Sequence, residues 1–155
     1  MSNAITTEDV RTWFRGLENA QDTLKVMQQY VDENVVWTIS TSADGPLGKT
    51  TPISGTYDSR EAFVKGAMAP LLPLFTDGIH LSLTDVIVQP SENNDPSDRH
   101  LTKAVVEMKG TATMKSGKDW NNDYAWVIYF NNETKKAVRV KTYFDSAAVN
   151  KAFEQ

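Results

Sequence analysis

Residues 120–130, WNNDYAWVIYF, set Asn122, Tyr124, Trp126, Ile128 and Phe130 at every second position, so an extended strand carries them on one face. A strand buried against a dry core needs only small apolar side chains there. Tyr124 and Trp126 instead combine large rings with a phenolic hydroxyl and an indole N–H, which suits the wall of a pocket holding a ligand with apolar and polar parts. Such donors could hold a carbonyl or enolate oxygen, with Asn122 orienting the bound molecule. Ile128 and Phe130, further along, read as core.

Other chemistries find little support in the composition. The chain has 155 residues and no cysteine, which removes disulfides, thiolate zinc sites and cysteine nucleophiles together. His80 and His100 stand alone, without companions at metal-ligand spacing. Gly45, Gly48 and Gly55 lack the spacing of a phosphate-binding loop. The formal net charge is −4 with Lys and Arg scattered, so neither nucleic acid nor an acidic membrane surface is an expected partner. No long apolar run reads as a signal peptide or membrane span. The expectation is a cytoplasmic protein that uses no cofactor and no metal.

The elements that must position the polar face follow from local patterns. Thr6 or Thr7 can cap a helix carrying Val10, Trp13, Phe14 and Leu17 at i, i+3, i+4 and i+7. Leu24, Met27 and Val31 continue a helical period to about residue 33. Residues 35–41, VVWTIST, read as a strand, with Trp37 and Thr38 facing the pocket and Ile39 turned away. Ser42–Pro52 forms a loop of the kind that rims binding sites. A short strand at 53–57 brings Tyr57 to the site. Asp58 and Glu61 have capping-box spacing, so Asp58 starts a helix through about Met68, with an end or kink at Pro70 and Pro73. Met68 and Leu72 supply apolar lining from this helix. Strands follow at 79–89, 101–114, 120–131 and 137–145, with 90–99 the least ordered stretch and a short helix from Ser146. Residues 5–155 form one domain of α+β class, in which a curved, mainly antiparallel sheet wraps over helices and leaves an open end as a pocket.

Three motifs in this order, ISGTYDSREAF, NNDYAWVIYF and VRVKTYFDSAAV, resemble the SnoaL-like, ketosteroid-isomerase-related proteins of the nuclear transport factor 2 superfold. The resemblance spans roughly residues 7–153. It implies a cone-shaped α+β barrel with a mixed edge. It also implies a cofactor-free isomerase, cyclase or dehydratase for a hydrophobic, oxygenated polyketide-, steroid- or terpenoid-like molecule. The catalytic positions of the isomerases fall on Phe14, Thr38 and Trp126, and none of these retains the family's tyrosine or carboxylate. Two positions of the carboxylate–Arg–carboxylate trio of the related epoxide hydrolases fall on Met108 and Gly110, so that trio is not retained. The acid/base aspartate of the polyketide cyclases has its counterpart in Asp145, with Tyr143 as its partner by parity.

The resemblance implies Asp145 as the group that moves the proton, and the polar–aromatic face adds Tyr124 and Trp126 as oxygen-binding donors, so these three are the expected catalytic residues. Phe14, Leu17, Trp37, Thr38, Tyr57, Met68, Leu72, Met108, Asn122 and Tyr143 are implied as substrate-binding. Asp145 can equally cap the terminal helix. The rival function is a non-catalytic module that binds a small ligand or dimerises. The feature that separates the two is whether a titratable side chain faces the pocket. In either case a homodimer is expected, since the outward rows Lys103, Val105, Glu107 and Ala125, Val127, Tyr129 mix charge with apolar surface.

Overall fold

The computed structural model describes residues 4–39 and 49–155. Helices α1 (Thr7–Arg15) and α2 (Thr23–Tyr30) precede strands β1 (Val31–Ile39) and β2 (Gly55–Tyr57). A helical run follows, made of α3 (Arg60–Phe63), a π turn (Val64–Met68), α4 (Ala69–Leu71) and a 3-10 turn (Leu72–Leu74). Strands β3 (His80–Gln89), β4 (Leu101–Thr113), β5 (Asp119–Asn131) and β6 (Ala137–Phe144) and helix α5 (Ser146–Phe153) complete the chain.

Among the described residues, six strands form one open mixed sheet in the order β2-β1-β6-β5-β4-β3. Long antiparallel ladders join β3, β4, β5 and β6, while β1 runs parallel to β6. The fold is α+β, as the pattern predicts, and the sheet stays open instead of closing into a barrel. The core joins inward strand residues such as Val106, Ile128, Phe130 and Val140 to Val10 and Phe14 of α1 and Met27 of α2.

Helix α1 starts on a reciprocal capping box. Thr6 Oγ1 accepts from Asp9 N at 3.1 Å, and Thr6 N donates to the Asp9 carboxylate at 2.7 Å. Several boundaries differ from the sequence expectation. The helical period of Leu24, Met27 and Val31 stops at Tyr30, and Val31 opens β1, because Val31, Val35, Trp37 and Ile39 all bury against the core, with a register shift after Val31. The expected strand residues 40 and 41, and the part of the loop at 42–48, lie outside the described residues. Ser59, one residue later than Asp58, caps α3 through a bond from Ala62 N at 3.0 Å. The stretch 90–99 is held in place: Asn94 donates to the Leu101 carbonyl at 2.8 Å, and Asp98 pairs with Arg139 at 2.7 Å.

Pro70 does not end the helix. The backbone widens into the π turn, where Ala69 N reaches Val64 O, and continues. Having no N–H, Pro70 leaves the Gly66 carbonyl without a helical donor. The Tyr57 hydroxyl fills that role. It donates to Ile53 O at 2.7 Å and is shared with Gly66 O at 3.2 Å. No described helix is long and apolar enough to cross a membrane.

Candidate functional site

The inward face of β5 carries Trp120, Asn122, Tyr124, Trp126, Ile128 and Phe130, and three zones appear along it. Ile128 and Phe130 are core. Tyr124 and Trp126 line a cavity of about 100 Å³. Asn122 lies beyond that cavity.

The cavity wall is built from both layers. β1 contributes Ile39, β6 contributes Thr142 and Phe144, and β3 contributes Leu81. The π turn and its flanks add Phe63, Ala67, Met68, Leu71 and Leu72, while Leu17 and Met27 close the side toward α1 and α2. Ile53 and Ile79 from the connections and Val149 of α5 complete it, with Thr23 at its edge. A π turn is a frequent mark of a functional site, since the widened backbone presents side chains that a regular helix would not.

Two tryptophans meet here in unlike states. Trp37 is buried, stacks on Phe63 with ring centroids 3.8 Å apart, and gives its indole N–H to Thr142 Oγ1 at 2.8 Å. Trp126 packs edge-on against Trp37 and Phe14, with centroids 5.2 and 5.8 Å away. Its indole N–H is fully buried and has no hydrogen-bond partner. A buried donor left unpaired costs about 1–3 kcal/mol, so such groups are rare and ask for a reason.

Tyr124 lies across the bare backbone of Gly110, where an added Cβ would sit 2.7 Å from the ring. Its hydroxyl also finds no hydrogen-bond partner among the described residues. Burial pushes its phenol well above the ordinary value of 10.0, so it stays protonated and acts as a donor, never as a base at neutral pH. Among the described lining residues there is no carboxylate, imidazole, ammonium or guanidinium. Nor do three His, Asp or Glu side chains group anywhere among the described residues in a way that could hold a metal ion.

Several predicted site residues are placed elsewhere. Asp145 is exposed and caps α5, accepting from Ala147 N at 2.9 Å and Ala148 N at 3.4 Å. Asn122 binds the Asp145 backbone reciprocally: Asp145 N donates to its Oδ1 at 2.9 Å, and its Nδ2 donates to Asp145 O at 3.3 Å. Tyr143 is 49% exposed on the outer face, because Thr142 and Phe144 take the inward positions of β6. Thr38 also points outward, toward Thr56 at 3.2 Å, and Ile39 holds the cavity position instead. Tyr57 has its hydroxyl committed to backbone carbonyls and does not line the cavity. Met108 is buried opposite Tyr124 in register and does not line it either. Phe14 and Trp37 back Trp126 from a neighbouring cavity, whereas Leu17, Met68 and Leu72 reach the site.

Two outcomes follow for these groups. Asp145→Asn should leave both stability and ligand binding unchanged, because asparagine caps as well as aspartate, while Asp145→Ala should cost about 1 kcal/mol in urea denaturation with binding intact. The raised phenols of Tyr124 and Tyr57 hold their protons in the folded state above the pH at which the unfolded chain releases them. Their contribution is therefore complete below pH 10 and is lost as pH rises beyond it. Denaturation between pH 8 and pH 11 checks the sign, and a stability that increases above pH 10 would contradict it.

No protein-family profile and no curated protein sequence matches the chain. Solved structures do match it. An NTF2-like protein of unknown function from Burkholderia pseudomallei is 18% identical, with all of both chains covered and a TM-score of 0.64. TerC, co-crystallised with polyporic acid, is 17% identical over the whole of both chains, with a TM-score of 0.65. AusH from Aspergillus nidulans is 18% identical over 92% of this chain and 88% of its own, with a TM-score of 0.60. At these identities the likeness shows the NTF2-like fold and leaves activity to be argued from the site.

Proposed function

We propose that the protein binds a compact, mostly apolar molecule bearing one hydrogen-bond-accepting oxygen, held in the cavity by the Trp126 indole N–H and the Tyr124 hydroxyl. The observation that carries this reading is the buried, unpaired N–H of Trp126 at the wall of an apolar cavity. A ligand carbonyl or ether oxygen would satisfy it, and apolar walls would supply the rest of the affinity. TerC, of the same fold, was co-crystallised with polyporic acid, which is consistent with small organic ligands on this scaffold.

Proton transfer is not part of the reading, since Asp145 caps a helix and Tyr124 keeps its proton. A cofactor-free isomerase, cyclase or dehydratase is the second reading. It is favoured by the same two donors, which would polarise a carbonyl as charge develops on it. It would require a reaction that runs without a base from the described residues. A homodimer across the outward sheet face and a cytoplasmic location are proposed with either reading. In support of the dimer, that face alternates Lys103, Glu107 and Lys141 with Val105 and the exposed Ile87 and Tyr143. Sedimentation velocity giving a monomeric mass would remove it.

The test compares cyclohexanone with methylenecyclohexane, a pair alike in shape and differing in the acceptor. Calorimetric titration should show the ketone binding about tenfold more tightly, the worth of one buried hydrogen bond. Trp126→Phe should erase the difference while leaving the hydrocarbon's affinity within about threefold of its original value. Equal binding of the two compounds to the native protein would overturn the reading.

A further inference from the structure

A second cavity of about 40 Å³ lies beside the first, and the two have Leu17, Met27 and Trp126 in common. Only side chains therefore divide them. The second is walled by rings, among them Trp13, Phe14, Trp37 and Phe130, and by Ala137 and Val140 at the start of β6. Rings meeting edge-on leave gaps that their rigid shapes cannot close, and atoms facing a gap lack contact partners on one side. An apolar cavity of this kind stays dry and accepts apolar groups.

The partition is suited to opening. Met27 has an unbranched side chain with three rotatable bonds, able to change course at small cost. Leu17 lies just past the end of α1, and its carbonyl is fixed to Leu81 N at 3.2 Å, so its backbone stays in place while the side chain turns. Trp126, the third member, carries the unpaired N–H. Taken together the two spaces approach the roughly 150 Å³ of an engineered cavity that accepts benzene.

We infer that the second cavity is a specificity chamber for the ligand's apolar end: the oxygen stays at Trp126 and Tyr124, and an alkyl group passes Leu17 and Met27 into the ring-lined space. The inference rests on the proposed function and names its ligand class more narrowly, as a monofunctional ketone or ether with a short alkyl arm. Chain length beyond what the first cavity holds is then what the protein measures.

Titration with butan-2-one, pentan-2-one, hexan-2-one and heptan-2-one tests this. In the native protein affinity should rise about fourfold per added methylene, the ~0.8 kcal/mol of a buried CH₂ converted at ~1.4 kcal/mol per decade. Ala137→Val adds two methyl groups to the second cavity alone. It should leave butan-2-one affinity unchanged and flatten the series from hexan-2-one onward. Val140→Ile, which extends into the same space, serves if the first variant does not fold. Butan-2-one binding with a flat native series, or with the same slope in the filled variants, overturns the second chamber and leaves the proposed function standing. Failure of every ketone to bind overturns both.

Discussion

Asn122→Ala is expected to lower folding stability by about 3 kcal/mol, the largest effect among the polar positions of β5. Asn122 is buried, and its amide satisfies both the N–H and the carbonyl of Asp145. Alanine removes two hydrogen bonds of about 1 kcal/mol each and leaves two backbone groups poorly satisfied. The loss reaches the cavity through α5. Asp145 begins that helix, the Trp120 indole holds it by donating to Ala148 O at 2.7 Å, and Val149 on it lines the site. Chemical denaturation should show the loss as a lower midpoint at unchanged slope. A loss under about 1 kcal/mol would mean that water replaces the amide, and the bridge would then not be what sets the position of α5.

Gly66→Ala is expected to cost about 2–3 kcal/mol, although alanine favours helices over glycine by about 1 kcal/mol. A Cβ at Gly66 would lie 2.3 Å from Cε1 of Tyr57, a rigid ring that cannot yield at its edge. Displacing that ring forfeits its packing on Phe63 and its hydrogen bonds to Ile53 and Gly66. Overpacking of this kind costs about 1–3 kcal/mol and each lost bond about 1 more. In a Tyr57→Ala background the penalty of Gly66→Ala should vanish, because contacting residues are not additive. The same full penalty in both backgrounds would place the strain elsewhere in the π turn.

How far the site was legible depended on which physical signal was used. The alternation along β5 correctly put Tyr124, Trp126, Ile128 and Phe130 on one face, because a period of two leaves no other arrangement; the wholly apolar side chains of Ile128 and Phe130 then marked that end as core. Trp37 and Thr38 are neighbours and cannot share a face, so with Trp37 inward the cavity position falls to Ile39 and Thr38 turns out toward Thr56. On β6 the sequence does not say which parity faces inward, and Asp145 falls just past the strand's end, where it caps α5 instead of partnering Tyr143. Polar Thr142 was inside, where it accepts the Trp37 N–H. Of the end or kink expected at Pro70 and Pro73, the widened turn stands at Pro70 and the end just past Pro73, at Leu74; the helix continued through Pro70 because a tyrosine from β2 took the place of the missing donor. Ser59 and Asp58 are both good caps, and adjacent capping residues cannot be ranked from spacing alone.

The parallel pairing of β1 with β6 has a consequence in time. Trp37 and Thr142 are 105 positions apart, yet they share a buried hydrogen bond. During synthesis, β1 emerges long before β6, the strand that pairs with its second edge, exists. The hairpins of β3, β4 and β5 can form as they appear, since their contacts are local, but the cavity has no second wall until β6 is made. Until then β1 has β2 on one side and the Phe63 ring of α3 over Trp37 but a free edge on the other, and this interval is where chaperone dependence and aggregation would concentrate.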